Sequence, residues 1–266
     1  MPSWYKPRMR AARPFLIAGV VAAAVAVVTV VIVTFLAPRA AVIPGAAPTP
    51  EEPAPSWAPP ADPPPAAATP GPGLAGLADA DWVTATSATT GIPERALAAY
   101  AGAALLKAEW MPECGISWNT IAGVAATESD HGRHGGSRIG PDGTVTPPIY
   151  GPPLDGGEGV EHIADSDGGA IDGSAEIDRA SGPFQFIPQS WRNWHVDANG
   201  DGVEDPQNID DAALAAVNYL CRVSTGMDTE EGWIAAISGF NAPQSYRDTV
   251  ARFAVRYAEL ASPVVE

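Results

Sequence analysis

Glu128 stands near the end of the stretch GVAATESDHGR and keeps step with apolar side chains. Helical steps of three, four and seven residues lead back from it to Ala125, Val124 and Ile121, so a helix here projects the carboxylate from an apolar stripe. Burial without a cationic partner opposes ionisation, and a carboxyl group that holds its proton near neutral pH can act as a general acid. The plainer alternative places Glu128 in a frayed last turn, paired with Arg133 or with water.

Two amides invite a second chemistry. Gln185 lies among aromatic and apolar residues in SGPFQFIPQSW, and Asn241 ends an apolar run in SGFNAP. In such surroundings an amide has to find hydrogen-bond partners, which sugar hydroxyls and N-acetyl groups supply as well as the backbone does. The segment DANGDGVEDPQN spaces oxygen ligands at Asp197, Asn199, Asp201, the carbonyl of Val203 and Asp205, with Gly202 at the turn. That pattern suits a hard cation such as Ca2+. Its twelfth position is Asn208 in place of a bidentate glutamate, which leaves Asp210 or Asp211 to complete the shell; a metal-free Asp/Asn/Gly turn is the alternative. His131 and His134 have a zinc-like spacing, but Gly132, Gly135 and Gly136 disfavour the helix that would align them, so both read as solvated loop residues.

These groups need a scaffold. Pro93 and Glu94 open IPERALAAYAGAALLKAEW as a helix of about four turns. Ser117 is the N-cap expected for WNTIAGVAATESD, the helix that carries Glu128. Downstream, DDAALAAVNYLCRV aligns Leu214, Val217 and Cys221; EEGWIAAISGF aligns Ile237 and Phe240 with Trp233 or Ile234; and SYRDTVARFAVRYAEL aligns Val250 and Tyr257 with Phe253 or Ala254. Residues 132–182 are rich in Gly, Asp and Pro without a clear period, which leaves a long loop with room for a short hairpin. The fold class that follows is mainly α with a long central loop insertion.

The 266-residue chain has a formal net charge of −16, unevenly spread. Residues 1–14 form a basic tail with Lys6, Arg8, Arg10 and Arg13. The apolar run from Phe15 to Leu36 has the length of a membrane-spanning helix and exceeds the ~7 to 15 residues of a signal-peptide core. An uncleaved anchor in the cell membrane is therefore expected over 15–36, with the N-terminus in the cytoplasm and the remainder outside. Residues 37–73 are dominated by Pro and Ala and are expected as an extended stalk, unable to build a core. Residues 74–266 then form the globular domain. It holds ten Lys and Arg against twenty-eight Asp and Glu, which argues against nucleic acid as a partner. Cys114 and Cys221 are the only cysteines. One disulfide, two buried thiols and a nucleophilic thiol are the alternatives, and an even pair on an exported domain points to the disulfide.

Taken in order, GVAATESDHGR, GPPLDG, DSDGGAIDGSAEIDRASGPFQFIPQSWRNW, DANGDGVEDPQNIDDAALAAVNYLC and GFN before a last helix resemble the lytic murein transglycosylases of the membrane-bound B type, in their actinobacterial form. The resemblance spans about 92–258. It implies a lysozyme-like α fold, a cleft for the glycan strands of peptidoglycan, and chemistry without a cofactor, the calcium loop being structural. The family's catalytic glutamate falls on Glu128. It would protonate the glycosidic oxygen between N-acetylmuramic acid and N-acetylglucosamine, then act as base on the C6 hydroxyl, leaving a 1,6-anhydro end. Gln185 and Asn241 fall on positions that orient the sugar, and Gly182 and Pro183 on the cleft wall. Phe240 stands where the family has Tyr, Phe184 where it has Met, and Ala-Pro follows Asn241 where His-Ser is usual, so one hydroxyl near the cleft is missing. Two other classes compete: a hydrolytic muramidase, using water and a second carboxylate such as Asp178 or Glu176, and a catalytically silent wall-binding scaffold.

Overall fold

The computed structural model describes residues 55–157 and 160–262. Ala and Leu crowd α2 (Glu94–Trp110) so densely that it is buried nearly all round, from Ala96 to Leu106, and it becomes the central rod of the domain. Around it pack α1 (Ala80–Thr90), α3 (Trp118–Ser129) and α5 (Ile209–Val223), with α4 (Pro188–Trp194) against α5. α6 (Glu230–Phe240) lies between α5 and α7 (Gln244–Ala261), and α7 runs along α3. One apolar cluster holding Leu97, Tyr100, Trp118, Leu214, Trp233 and Val250 is shared by all these helices.

α3 and α7 meet closely because Gly123 lies between them. A Cβ at Gly123 would stand 2.7 Å from the Val250 carbonyl oxygen and 3.1 Å from the Ala254 Cβ, so any larger residue forces the helices apart. Trp233 of α6 donates its ring N–H to Thr120 Oγ1 at 3.0 Å, which satisfies the one polar atom that this buried indole carries. A disulfide joins Cys114, in the turn after α2, to Cys221 in α5.

The central segment contains more order than its composition shows. β1 (Arg138–Ile139) pairs antiparallel with β2 (Val145–Thr146), in register Arg138 with Thr146. β3 (Tyr150–Pro153) pairs antiparallel with β4 (Arg179–Ser181), Tyr150 opposite Ser181, with an irregularity between Tyr150 and Pro153. Between β3 and β4 the loop is organised by carboxylates. Asp178, fully buried, accepts from the Ser166 amide (2.9 Å) and hydroxyl (2.7 Å). Asp172, also buried, accepts from the amides of Ser174 and Arg179. Asp165 and Asp167 cap the turn at Gly168 and Gly169.

Three expectations are corrected here. No helix among the described residues is long and apolar enough to cross a membrane. The described structure therefore carries no spanning helix ahead of the domain, and the expected fold class with such a helix, the membrane partner and the single-pass placement are cut back to the helical domain alone. The apolar run 15–36 itself lies outside the described residues, as does the basic tail.

The second correction concerns the stalk. Its described part lies on the domain: Ala58 is buried, and Trp57 packs against the core. Proline removes amide donors but leaves carbonyl acceptors, and α3 supplies the donors. Trp118 Nε1 donates to the Asp62 carbonyl (3.1 Å) and Asn119 Nδ2 to the Pro59 carbonyl (3.0 Å), while the Ala61 amide donates to Asn119 Oδ1 (3.1 Å). The Ser117 hydroxyl, expected to cap α3, is instead directed at the Ala61 carbonyl.

The third concerns His131, which is fully buried rather than solvated. Asp130 and His131 adopt left-handed backbone conformations, φ 52° and 57°, that turn the imidazole inward between the Tyr100 and Tyr257 hydroxyls, at 3.3 and 2.8 Å. Burial pushes its pKa down to about 3, so the ring is neutral and serves as a packed hydrogen-bonding strut. His134 is exposed.

Candidate active site

Glu128 occupies the last turn of α3 and lines a cleft of about 710 Å3. The side chain is half-buried: it faces the cleft while protein encloses the rest of it. Burial pushes its carboxyl up to about 7, against the hydrogen bond from Tyr246, which favours the ionised form. The Tyr246 hydroxyl, from the first turn of α7, donates to Glu128 Oε1 at 2.6 Å. Burial and the nearby carboxylate hold the Tyr246 pKa well above its usual value, so it remains a donor. Arg133, the partner offered by the solvated alternative, pairs with Asp130 at 2.7 Å instead. Among the described residues Glu128 thus has a hydroxyl beside it and no paired cation, which are the conditions for a carboxyl group that holds and returns a proton near neutrality.

Gln185, Phe240 and Asn241 line the same cleft. Gln185 sits at φ 51° and donates its Nε2 to the Gly182 carbonyl at 2.8 Å, which fixes the amide in place. Phe240 packs edge-on against Phe186 and Tyr219, and Tyr219 against Trp194, so one wall is aromatic. Asn241 is the C-cap of α6, buried, with its Oδ1 unpartnered among the described residues.

Gly182 and Pro183 are buried behind this wall and do not line the cleft. Gly182 has φ 77°, and a Cβ there would stand 1.8 Å from the Pro206 carbonyl oxygen. Pro183 accepts the Ser129 hydroxyl at 2.7 Å, which ties this turn to the residue next to Glu128. The pair therefore holds the Gln185 turn against the end of α3.

The 197–205 loop stands apart from the cleft. Asp197 accepts the amides of Gly200, Asp201 and Gly202, Asn199 Oδ1 that of Asp201, Asp201 that of Val203 and Asp205 that of Gln207. Val203 is exposed. Asn208 caps α5 through the Asp210 amide, Arg95 holds Asp210 in a two-point ion pair, and Asp211 accepts from Ala198 and Asp205. The oxygen types suit Ca2+, but the loop closes on its own amides; a cation there would add to that closure rather than create it.

Neither carboxylate considered for a hydrolytic second acid lines the cleft: Asp178 is bound to Ser166 and Glu176 is exposed. Among the groups at this site not singled out from sequence are Tyr246, which bonds Glu128, and Glu161, His162, Trp194 and Tyr219 of the cleft lining. Tyr246 had a signal, since four residues back from Val250 on the α7 stripe lands on it. Glu161, which lines the cleft from the β3–β4 loop, sits in an aperiodic segment and had none.

The comparisons bear on this arrangement. Residues 168–260 match the model of the Transglycosylase SLT domain. An SLT-domain fold is present. The matched span carries Gln185, Phe240, Asn241 and Tyr246, the wall and the hydrogen-bond donor, while Glu128 and Glu161 precede it. It supports lytic-transglycosylase-type activity in general terms and does not distinguish the membrane-bound B type or its actinobacterial form. No curated protein and no solved structure matches the chain.

Proposed function

We propose that this domain is a peptidoglycan lytic transglycosylase that cleaves the β-1,4 bond between N-acetylmuramic acid and N-acetylglucosamine. The observation that carries this reading is Glu128: a carboxyl group raised to about 7, hydrogen-bonded to Tyr246, inside an amide- and aromatic-lined cleft. Protonated Glu128 gives its proton to the glycosidic oxygen as the C1–O4 bond breaks. The carboxylate then takes the proton of the muramic C6 hydroxyl as that oxygen bonds to C1, closing a 1,6-anhydro ring and restoring the acid. Asn241 and Gln185 meet the acetamido and hydroxyl groups of the sugar, and the Phe240 wall carries its apolar face. Tyr246 supplies a hydroxyl to Glu128, while the one that Phe240 lacks would have met the sugar.

The full-length protein and its Glu128→Gln variant, incubated with purified peptidoglycan, test this. The expected products are fragments ending in anhydro-muramic residues, with a loss of about 10^2- to 10^4-fold in the variant at unchanged melting behaviour. Because the first step needs the protonated form, turnover falls as pH rises through about 7. Reducing ends in place of anhydro ends would make the enzyme a muramidase. An equally active Glu128→Gln variant, or no product from the wild type, would sink the assignment.

A further inference from the structure

Glu161 is a charged group of the cleft for which the reaction above has no use. It reaches the cleft from the loop between β3 and β4, and its Oε2 is buried without a hydrogen-bond partner among the described residues. Asn241 Oδ1, on another wall, is in the same condition. Both unpaired atoms are acceptors. Among the described residues no Lys or Arg lines the cleft, and His162, next to Glu161, is the one basic side chain of its lining. Arg247 donates to the Ser238 hydroxyl of the lining at 3.2 Å, and its Nε is buried without a hydrogen-bond partner among the described residues.

An acceptor buried without a donor is unfavourable, so a ligand that brings N–H or O–H groups suits this cleft. A ligand carboxylate would meet Glu161 with no Lys or Arg of the lining to offset it, in a groove that screens charge less than open water. Muramic residues differ in just this respect. Their lactyl group is either closed as an amide, which offers an N–H and no charge, or free as a carboxylate. Lactyl groups recur at every second sugar, so a strand filling the cleft lays one along the groove.

We propose that Glu161 is a specificity-determining residue that selects glycan whose lactyl groups are closed as amides over glycan whose lactyl groups are free carboxylates. The proposal rests on the transglycosylase reading for its substrate class. It places this enzyme's action before, and not after, any hydrolysis of the lactyl amide, since that hydrolysis creates the disfavoured charge.

The test uses two muramic-containing tetrasaccharides, one with neutral lactyl amides and one with free lactyl carboxylates. Binding is followed by tryptophan fluorescence, since Trp194 lines the cleft. The full-length Glu128→Gln protein should bind the amide form about tenfold tighter at low ionic strength, and high salt should narrow the ratio. Adding Glu161→Gln should bring the ratio close to one, while Glu161→Asp, which keeps the charge, should preserve the preference. A ratio near one in Glu128→Gln, or one that Glu161→Gln leaves unchanged, overturns the proposal. So does loss of turnover at saturating amide substrate when Glu161→Gln is placed in the otherwise wild-type enzyme, which would make Glu161 part of the chemistry. If the wild type cleaves neither compound while the binding ratio behaves as described, the transglycosylase reading fails and the selectivity of Glu161 stands.

Discussion

α3 meets α7 through Gly123, Ala254 and the Val250 backbone, crossed by hydrogen bonds from Asn119 to the Ala254 carbonyl and from Tyr246 to Glu128, whereas the loop between β3 and β4 hangs on Asp165, Asp167, Asp172 and Asp178. The contrast follows from what each backbone needs. A helix pairs its own amides and carbonyls, so its side chains are free to be apolar. A loop with two short ladders has amides left over, and short acidic side chains take the place of the missing strand. Part of the acidity of this domain is therefore internal. Asp172, Asp178 and Asp211 are fully buried and hold main-chain amides, so the formal charge overstates the field presented to a ligand approaching from outside.

The comparison can be strained from either side. The largest effect expected is in the helical half. Replacing Cys114 and Cys221 by Ser frees a sequence separation of 107 residues and should cost about 4 to 5 kcal/mol on chain entropy, which lowers the melting temperature by roughly 10 to 20 °C. A drop of under about 3 °C would show that apolar packing alone holds these helices. Next comes the loop half. Asp178→Ala strands the Ser166 amide and hydroxyl and should cost about 1 to 3 kcal/mol. Hydrogen exchange should quicken around 163–168 with the α2 and α3 amides unchanged, and KM should rise more than kcat falls, because Ile163 and Ala164 line the cleft. Uniform loosening of helices and loop together would mean that the two halves are one cooperative unit. The smallest effect lies between α3 and α7, at the edge of the cleft. Tyr246→Phe removes a donor to the Glu128 carboxylate and costs about 1 kcal/mol. Since that donor favours the ionised form, its loss pushes the Glu128 pKa further up, and the alkaline limb of the pH–rate profile moves to higher pH; a limb that stays put or moves down contradicts the geometry.

The same division governs what could be read from the sequence. The phase of Glu128 on α3 was legible because helical period reports directly on side-chain direction, and the buried stripe of α5 was legible for the same reason. α1 was not: ADWVTATSATT buries only Val83, Thr86 and Thr90, and a Thr-rich helix shows little apolar contrast. Glu161 and the capping carboxylates were silent because loops have no period to count. His131 was placed in a loop correctly, yet its direction is set by two left-handed residues that spacing does not specify. The described part of the Pro-rich segment packs where a stalk was expected, because composition counts the donors that proline removes, while packing there depends on the acceptors that it keeps.

That segment has a mechanical consequence. The chain enters the domain across Trp118 and Asn119, at the N-terminal end of the helix whose other end bears Glu128, about 14 Å away. Any pull on the described chain from Ser56 is thus shared between Glu230 of α6, which Ser56 bonds, and the base of α3, a rigid lever whose far end carries the Glu128 carboxyl.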